Sequence, residues 1–457
     1  MFSTVLIANR GEIALRVART CRELGIRTVA VYSTADRDAA VVRFADRAVH
    51  IGPPASKRSY LHIPSIIEAA LQTGSEAIHP GYGFLSEDPD FAEVCEAKGI
   101  TFVGPSPTVM RQLGDKAVAR ALMARAGLPV LPGSDEALTG PVAAQETARR
   151  VGFPVILKAV AGGGGRGMTV VRNPEDLLRA YGQTRAHARA IFGDDRLYLE
   201  RFVEDARHIE VQVLRDTHGS TVHLGERDCS VQRRHQKLIE ECPAPGLSED
   251  LRAAICAEAV RGAEAVGYVG AATFEFVLTP ADEFYLMEIN CRLQVEHPVT
   301  EMVTGIDIVR EQLMVAAGLP LTIRQEDVSP RGVSLECRVN AEDPAKEFAP
   351  TPGSLSDFRL PGGQFVRVDT HAYPGWRVGP DYDSLLAKTV VWAPDRAQAL
   401  ARMDRALGEF RIDGSGLRTT VGFLREVLGR SEFRAARHTT GLVDAMTAEV
   451  PRSADAT

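Results

Sequence analysis

Short apolar runs alternate with helical patterns through residues 1–110, and this alternation leaves few folds open. Thr4–Ala8 and Thr28–Tyr32 read as strands. Between them, Ile13–Leu24 carries an apolar stripe of Ala14, Val17, Ala18, Cys21 and Leu24 at helical spacing. Further strands are expected at Ala77–His79 and Thr101–Val103, and helices at Ile63–Gln72 and Pro89–Lys98. Strands separated by helices pair in parallel, because a parallel pair needs a long crossover. The turn Asn9-Arg10-Gly11-Glu12 lacks the second and third glycines of a dinucleotide-binding turn. A parallel sheet is therefore expected without that cofactor.

The pattern then changes. Helical spacing over Pro107–Ala126 runs into a Pro/Gly-rich join, Gly127–Gly133, which marks a boundary. The reading divides the chain into 1–114, a parallel-sheet domain; 115–130, a helical linker; 131–203, a small lobe; 204–447, a larger strand-rich region; and a frayed tail, 448–457. In the small lobe, strands are expected at Val155–Lys158, Met168–Arg172 and Leu197–Arg201, with a helix at Glu175–Ala190. Beyond it, strands are expected at His208–Leu214, Thr221–Glu226, Ala272–Leu278, Glu283–Ile289 and Val333–Asn340. Helices are expected at Glu249–Val266, Ile306–Ala317, Asp395–Leu407 and Leu417–Leu428.

Composition bounds the class. A hydrophobic share of 45% without an apolar run of membrane length fits a soluble chain, and its 457 residues suit about three domains. Arg10 and Glu12 interrupt the first apolar stretch, so no signal peptide is read. A net charge of −7 argues against a dedicated nucleic-acid binder. The seven cysteines are scattered with no Cys-x-x-Cys pair, which suggests neither a disulfide framework nor a zinc site, and a reducing cytoplasm.

Four segments carry chemistry. Over residues 288–296, Glu288, Asn290, Arg292, Gln294 and Glu296 alternate with Ile289, Cys291, Leu293 and Val295. In one extended strand all five polar groups would share a face over roughly 27 Å. Glu and Asn are poor strand formers, so such a face suits ligand chemistry more than a solvated surface. Second, Gly162-Gly163-Gly164-Gly165-Arg166-Gly167 has the glycines of a phosphate loop but no Lys-Ser/Thr and no following helix. Strand, glycine loop, strand reads as a hairpin flap over phosphate, with Lys158 as an added cation. Third, Glu275 and Glu288 lie on two strands joined by the short turn Thr279–Asp282 and become hairpin neighbours. Two carboxylates facing each other in a sheet need a cation, and with Asn290 they offer the hard oxygens that Mg²⁺ takes. Fourth, Arg227, Arg233, Arg234, His235 and Lys237 crowd into residues 226–241 of an acidic chain, which fits an anion-binding loop. Cys229 sits beside those cations, where a thiol pKa would fall; it is given no catalytic role.

His79–Glu87, the glycine flap, Glu226–Ser230 with its basic run, Glu288–Thr300 and Glu336–Asn340 together resemble the biotin carboxylase component of biotin-dependent carboxylases, an ATP-grasp family. The resemblance covers residues 2–445. It implies an α/β chain, α+β in its C-terminal part: an ATP-grasp fold with an N-terminal parallel-sheet domain, a mobile glycine-flap lid and a C-terminal mixed-sheet domain. It implies ATP, Mg²⁺ (or Mn²⁺), bicarbonate and biotin on a carrier protein. By resemblance, Lys116, Lys158, Gly163, Gly164, Gly165, His208, Gln232, His235 and Lys237 surround the nucleotide and its phosphates, and Glu200 and the Val203 backbone hold adenine. Glu275, Glu288 and Asn290 hold the metal; Arg292, Gln294, the Val295 N–H and Lys237 cradle bicarbonate. Glu296 is the general base, Arg338 stabilises the biotin enolate, and Tyr82 and Gly83 line the biotin pocket. Arginine's planar fork suits a planar carbonate, which supports Arg292 in that role.

Three residues depart from the family's usual pattern. Ala161 stands where the glycine run usually begins, Arg201 where a lysine is common, and Cys291 where a threonine is common. They bear on lid movement and nucleotide affinity rather than on the reaction. The residues Asp444-Ala445-Met446-Thr447 near the end are not the Met-Lys-Met of a biotinylation site, so a carrier protein and a carboxyltransferase in trans are expected, with homodimerisation the family habit. The reaction implied is the first half-reaction of an acetyl-CoA or other acyl-CoA carboxylase, of the kind that feeds fatty acid synthesis. Two other classes remain: an ATP-grasp carboxylate–amine ligase, expected to lack the Glu288–Glu296 array and Arg338, and a non-catalytic nucleotide-binding regulator, expected to have lost Glu296, Arg338 or a metal carboxylate.

Overall fold

The computed structural model describes residues 1–162 and 166–449. Residues 1–110 form the expected parallel sheet, in the spatial order Arg47–Gly52, Arg27–Ser33, Thr4–Ile7, Ala77–His79, Thr101–Phe102. The edge strand Arg47–Gly52 escapes the sequence reading because its exposed Arg47, Ala48 and His50 leave no apolar alternation. The strand Thr4–Ile7 packs its two faces toward two different cores, and the helix Gly11–Glu23 joins the first of them. Val5, Ile7 and Val17 join Leu335, Leu386 and Leu424 from the C-terminal third. Leu6 and Ile78 join Phe274, Phe276 and Tyr268 of the central region. The first 110 residues are thus built into the rest on both faces.

The small lobe has three antiparallel strands in the order Met168–Val171, Val155–Ala159, Leu197–Arg201. Lys158 pairs with Met168, so strand, glycine loop, strand is a hairpin; Gly163, Gly164 and Gly165 lie outside the described residues. The lobe has its own core, including Leu157, Val171, Leu177 and Leu199. The helix Pro141–Val151 completes that core and is not anticipated by the sequence reading; Pro141 at its first turn is the available signal.

The largest element is an eight-stranded antiparallel sheet. Its order is Phe284–Asn290, Gly270–Leu278, Arg207–Arg215, Thr221–Arg233, Gln236–Cys242, Val333–Asn340, Leu385–Ala393, Val366–Thr370. Two expectations are corrected here. The basic run 226–241 is a β-hairpin, not a loop: Gln232 pairs with Lys237, and Arg234 and His235 turn the chain with φ of +47° and +67°. The polar strand 288–296 ends at Asn290; Cys291–Glu296 is irregular, and the helix His297–Thr304 begins behind it with Pro298 in its first turn. The strand stops where the Glu87 carboxylate takes the Cys291 N–H at 2.9 Å, and Pro298 then favours the start of the helix. Of the expected tail, Ala448 and Glu449 end the helix Leu442–Glu449, and 450–457 lie outside the described residues.

Candidate active site

Sheet register builds the site. Glu288, Glu275, Glu210 and Arg227 lie directly opposite one another across four neighbouring strands and therefore share a face. Three carboxylates in one row repel unless cations lie between them. Arg227 supplies one: fully buried, it donates to Glu210 Oε1 at 2.5 Å, Gln212 Oε1 at 3.1 Å and Thr300 Oγ1 at 2.9 Å. Lys237 supplies the other. Its Nζ lies 2.6 Å from Glu210 Oε2, 3.0 Å from Glu275 Oε1 and 2.7 Å from Glu296 Oε1. Burial works against its charge, but Glu210, Glu275 and Glu296 together hold its pKa well above the usual lysine range.

Glu296 reaches this centre because the chain turns. It immediately precedes the His297–Thr304 helix, with none of its surface exposed. Its second oxygen accepts from Arg338 Nη2 at 2.8 Å. Burial alone would raise its pKa; Lys237, Arg338 and Arg227 overcome that and hold the carboxyl well below its ordinary value. The same turn folds Arg292 back. Its guanidinium donates to Gln294 Oε1 at 2.9 Å, Asn290 Oδ1 at 3.2 Å and Glu87 Oε2 at 2.8 Å. Asn290 and Gln294 in turn donate to Glu275 Oε1 at 2.8 and 3.2 Å. The five polar residues therefore converge on Glu275 and Lys237 instead of lining a long strand.

A cavity of about 250 Å³ opens beside this cluster, lined by Lys116, Gly162, Tyr198, Glu200, Leu286, Glu288 and Asn290 among others. Lys116 is paired with Glu288 across it. Glu200 is buried and held by Lys158 Nζ at 2.6 Å and Arg120 Nε at 3.2 Å. Val203 does not line this cavity; with Pro154, Phe202 and Tyr285 it lines a second groove just past the Leu197–Arg201 strand. His208 Nε2 lies 3.0 Å from Glu275 Oε2, Gln232 is buried on the basic hairpin, and His235 is exposed at its turn. Tyr82 is half-buried with its hydroxyl on Glu12, and Gly83 is exposed beside it. Val295 is half-buried in the turn before Glu296.

Glu275, Glu288 and Asn290 are hard oxygen donors on one hairpin, and such a set fits Mg²⁺ or Mn²⁺. Two other groups bring donor atoms within 4.8 Å of one another: His208, Glu210 and Glu275; and Glu210, Cys229 and Glu296. In both, the Lys237 ammonium is bonded to two of the carboxylates, so a lysine already neutralises them. Cys229 is no activated thiol. Burial raises its pKa well above the ordinary value, and Glu210 adds to the effect more than Lys237 relieves it. Several members of the site are missed by the sequence reading: Glu210, Arg227 as a buried partner, and Glu240, which pairs with Arg338 at 2.6 Å. Glu87 sits inside the quoted His79–Glu87 segment but receives no role there; its other oxygen accepts from the Cys291 N–H at 2.9 Å.

Comparison with known proteins gives three consecutive family matches. Residues 1–110 match "Biotin carboxylase, N-terminal domain", 115–324 match "Carbamoyl-phosphate synthase L chain, ATP binding domain", and 336–445 match "Biotin carboxylase C-terminal domain". A biotin carboxylase of Nostoc sp. is 50% identical over 445 residues, covering 97% of this chain and 99% of that one. A Campylobacter jejuni biotin carboxylase, solved as a β,γ-ATP complex, superposes with a TM-score of 0.95 at 47% identity, covering 97% of this chain and 99% of that one. The biotin carboxylase domain dimer of a Hydrogenobacter thermophilus 2-oxoglutarate carboxylase, solved with MgADP, ADP and bicarbonate, gives 0.94 at 46% identity, covering 97% and 98%.

Proposed function

The chain belongs to the biotin carboxylase family, and from that premise we propose that the Glu288–Glu275–Glu210–Arg227 row and the Arg292–Glu296 turn carry its reaction. The activity is ATP-dependent carboxylation of biotin with bicarbonate. The observation that carries the site reading is Glu296: a fully buried carboxylate held ionised between Lys237 and Arg338, at the end of the turn that also bears Arg292 and Gln294.

In this reading Arg292, Gln294, the Val295 N–H and Lys237 cradle bicarbonate beside Glu296. Lys116, Lys158, His208, Gln232, His235 and Lys237 stabilise the phosphates, with Gly163–Gly165 as the flap above them and Glu200 and the Val203 backbone at the adenine. Glu275, Glu288 and Asn290 would hold Mg²⁺, which neutralises charge on the transferred phosphoryl group. Glu296 takes the bicarbonate proton as carboxyphosphate forms. Its depressed pKa makes it a weak base at rest. Lys237 and Arg338 are the cause, and both are drawn toward anions when substrates bind. Their hold then loosens, and Glu296 gains basicity only in the loaded site. Tyr82, Gly83 and Arg338 receive biotin, with Arg338 facing the enolate. A closed flap keeps water from the reactive anhydride.

The same reading takes the lobe 131–203 as the lid, between 1–114 with its 115–130 linker and the 204–447 core, ahead of a short tail at 448–457. It places the protein in the cytoplasm as a homodimer working with a biotinyl carrier protein and a carboxyltransferase. No helix among the described residues is long and apolar enough to cross a membrane. The test is ATP cleavage by purified protein with Mg²⁺ and bicarbonate, with and without free biotin. Bicarbonate-dependent cleavage stimulated by biotin is expected. A folded, ATP-binding sample that cleaves ATP without regard to bicarbonate or biotin overturns the site reading.

A further inference from the structure

Lys388 is a fully buried lysine in the strand Leu385–Ala393, among apolar Leu386, Val390 and Val391. An ammonium in such a place costs several kcal/mol unless well paired. One partner is Glu12, 2.9 Å away and itself buried at the start of the helix Gly11–Glu23. That alone would be an internal ion pair. The second partner changes its meaning: Lys388 Nζ donates to the Val295 carbonyl at 2.9 Å. This carbonyl belongs to the peptide joining Val295 to Glu296, in the irregular turn ahead of the His297–Thr304 helix. Fixing that peptide fixes the backbone from which the Glu296 side chain departs. Glu12 makes one further contact, accepting the hydroxyl of Tyr82, and the Lys388 ammonium lies 5.9 Å from the centre of the Tyr82 ring. An unbroken chain of contacts thus runs Tyr82, Glu12, Lys388, Val295, Glu296, with Glu12, Lys388 and Glu296 buried. Its members come from the first 82 residues, the central turn and the C-terminal third, segments joined by no shared sheet row.

We propose that Lys388 is a positioning residue that couples the biotin pocket to the bicarbonate turn through Glu12 and the Val295 carbonyl. The inference rests on the site reading above. Biotin settling against Tyr82 alters the hydroxyl's hold on Glu12, Glu12 alters its share of the Lys388 ammonium, and the Val295–Glu296 peptide responds. Biotin then tunes the geometry around bicarbonate through the protein as well as by its own approach.

Steady-state kinetics on three variants test this: Lys388→Met, Glu12→Gln and the double variant. The double variant removes both charges and keeps the volume, so it folds even if Lys388→Met, with Glu12 left unpaired, does not. For Lys388→Met or the double variant, KM for bicarbonate rises about tenfold or more while KM for ATP stays within about twofold, the pattern of a displaced reacting group. Glu12→Gln keeps an acceptor for Lys388 but weakens the link to Tyr82, so it retains KM for bicarbonate and loses most of the biotin stimulation. A merely structural lysine would lower stability and scale kcat while leaving the ratio of the two KM values unchanged. That result in the double variant, or full biotin stimulation in Glu12→Gln, overturns the proposal. Wild-type cleavage indifferent to bicarbonate would instead overturn the site reading itself, and this inference with it.

Discussion

One terminal nitrogen of Arg338 serves two carboxylates, Glu240 at 2.6 Å and Glu296 at 2.8 Å. Glu240 is wholly buried and lies directly opposite Glu336, also wholly buried, on the adjacent strand. Burial pushes the Glu240 pKa up to about 7, only partly offset by Arg338, and pushes Glu336 well above its ordinary value. The folded state therefore holds a proton that the unfolded chain releases above the ordinary carboxylate range. The stability this contributes is fully present below that range and is lost as pH rises through about 7. Glu240→Gln has no such loss. Its unfolding free energy relative to wild type should rise by roughly 2 kcal/mol between pH 5 and pH 8, measured by denaturant titration at each pH. A difference that stays constant with pH would mean that Glu240 is ionised throughout in the folded protein. Glu296 calls for the opposite kind of test. In Glu296→Gln, Lys237 keeps Glu210 and Glu275, and Arg338 keeps Glu240, so the centre remains paired. Turnover should fall by about 10²-fold or more with nucleotide affinity nearly unchanged, and near-normal turnover would remove Glu296 from the chemistry.

Between residues and fold stand hairpins, and they divide what the sequence discloses from what it hides. The Glu275–Glu288 pairing is legible because a short turn between two apolar strands leaves one register open, and the two residues are indeed direct partners. The flap hairpin is legible because a glycine-rich loop joins its two strands. The end of the polar strand at Asn290 is not. Alternation continues past it, and what stops the strand is tertiary: Glu87, 204 positions earlier in the chain, captures the Cys291 N–H and the Arg292 guanidinium. Lys388 and Glu12 are hidden likewise, because neither a lone lysine in an apolar strand nor a glutamate in a helix's first turn names its partner. The pairing of Glu275 with Glu288 carries its own prediction. Glu288→Lys sets a lysine beside Lys116 and removes half of the facing carboxylates, so Mg²⁺-dependent ATP cleavage should be lost. The protein should also lose the thermal stabilisation that Mg²⁺ with ADP gives wild type, on the order of 2–3 kcal/mol at ligand about a hundredfold above Kd. Undiminished Mg²⁺ dependence would remove Glu288 from the metal site.

Across the whole molecule, three bodies of unequal strength share one cleft. The parallel sheet packs into both large cores. The three-stranded lobe closes a separate, smaller core. Its ties to the rest run through the β-bridge between Val130 and Leu286 on one approach and a few ion pairs on the other, such as Arg196 with Asp115 and Arg120 with Glu200. A small core buries a smaller share of its chain's surface, so this lobe should open at lower free energy than the eight-stranded sheet. Native-state hydrogen exchange measures that. Amides of Ile156, Leu157 and Leu199 in the lobe should exchange about a hundredfold or more faster than those of Val211, Phe274 and Cys337 in the sheet, a gap of roughly 3 kcal/mol. Adding ADP with Mg²⁺ should narrow the gap. In the proposed site one ligand engages Lys158 and Glu200 from the lobe together with Lys116 and Glu288 from the body, so opening the lobe would then require releasing it. Lobe amides as slow as those of the sheet without nucleotide, and unmoved by its addition, would mean that the two cores open as one and that the lobe is not a lid.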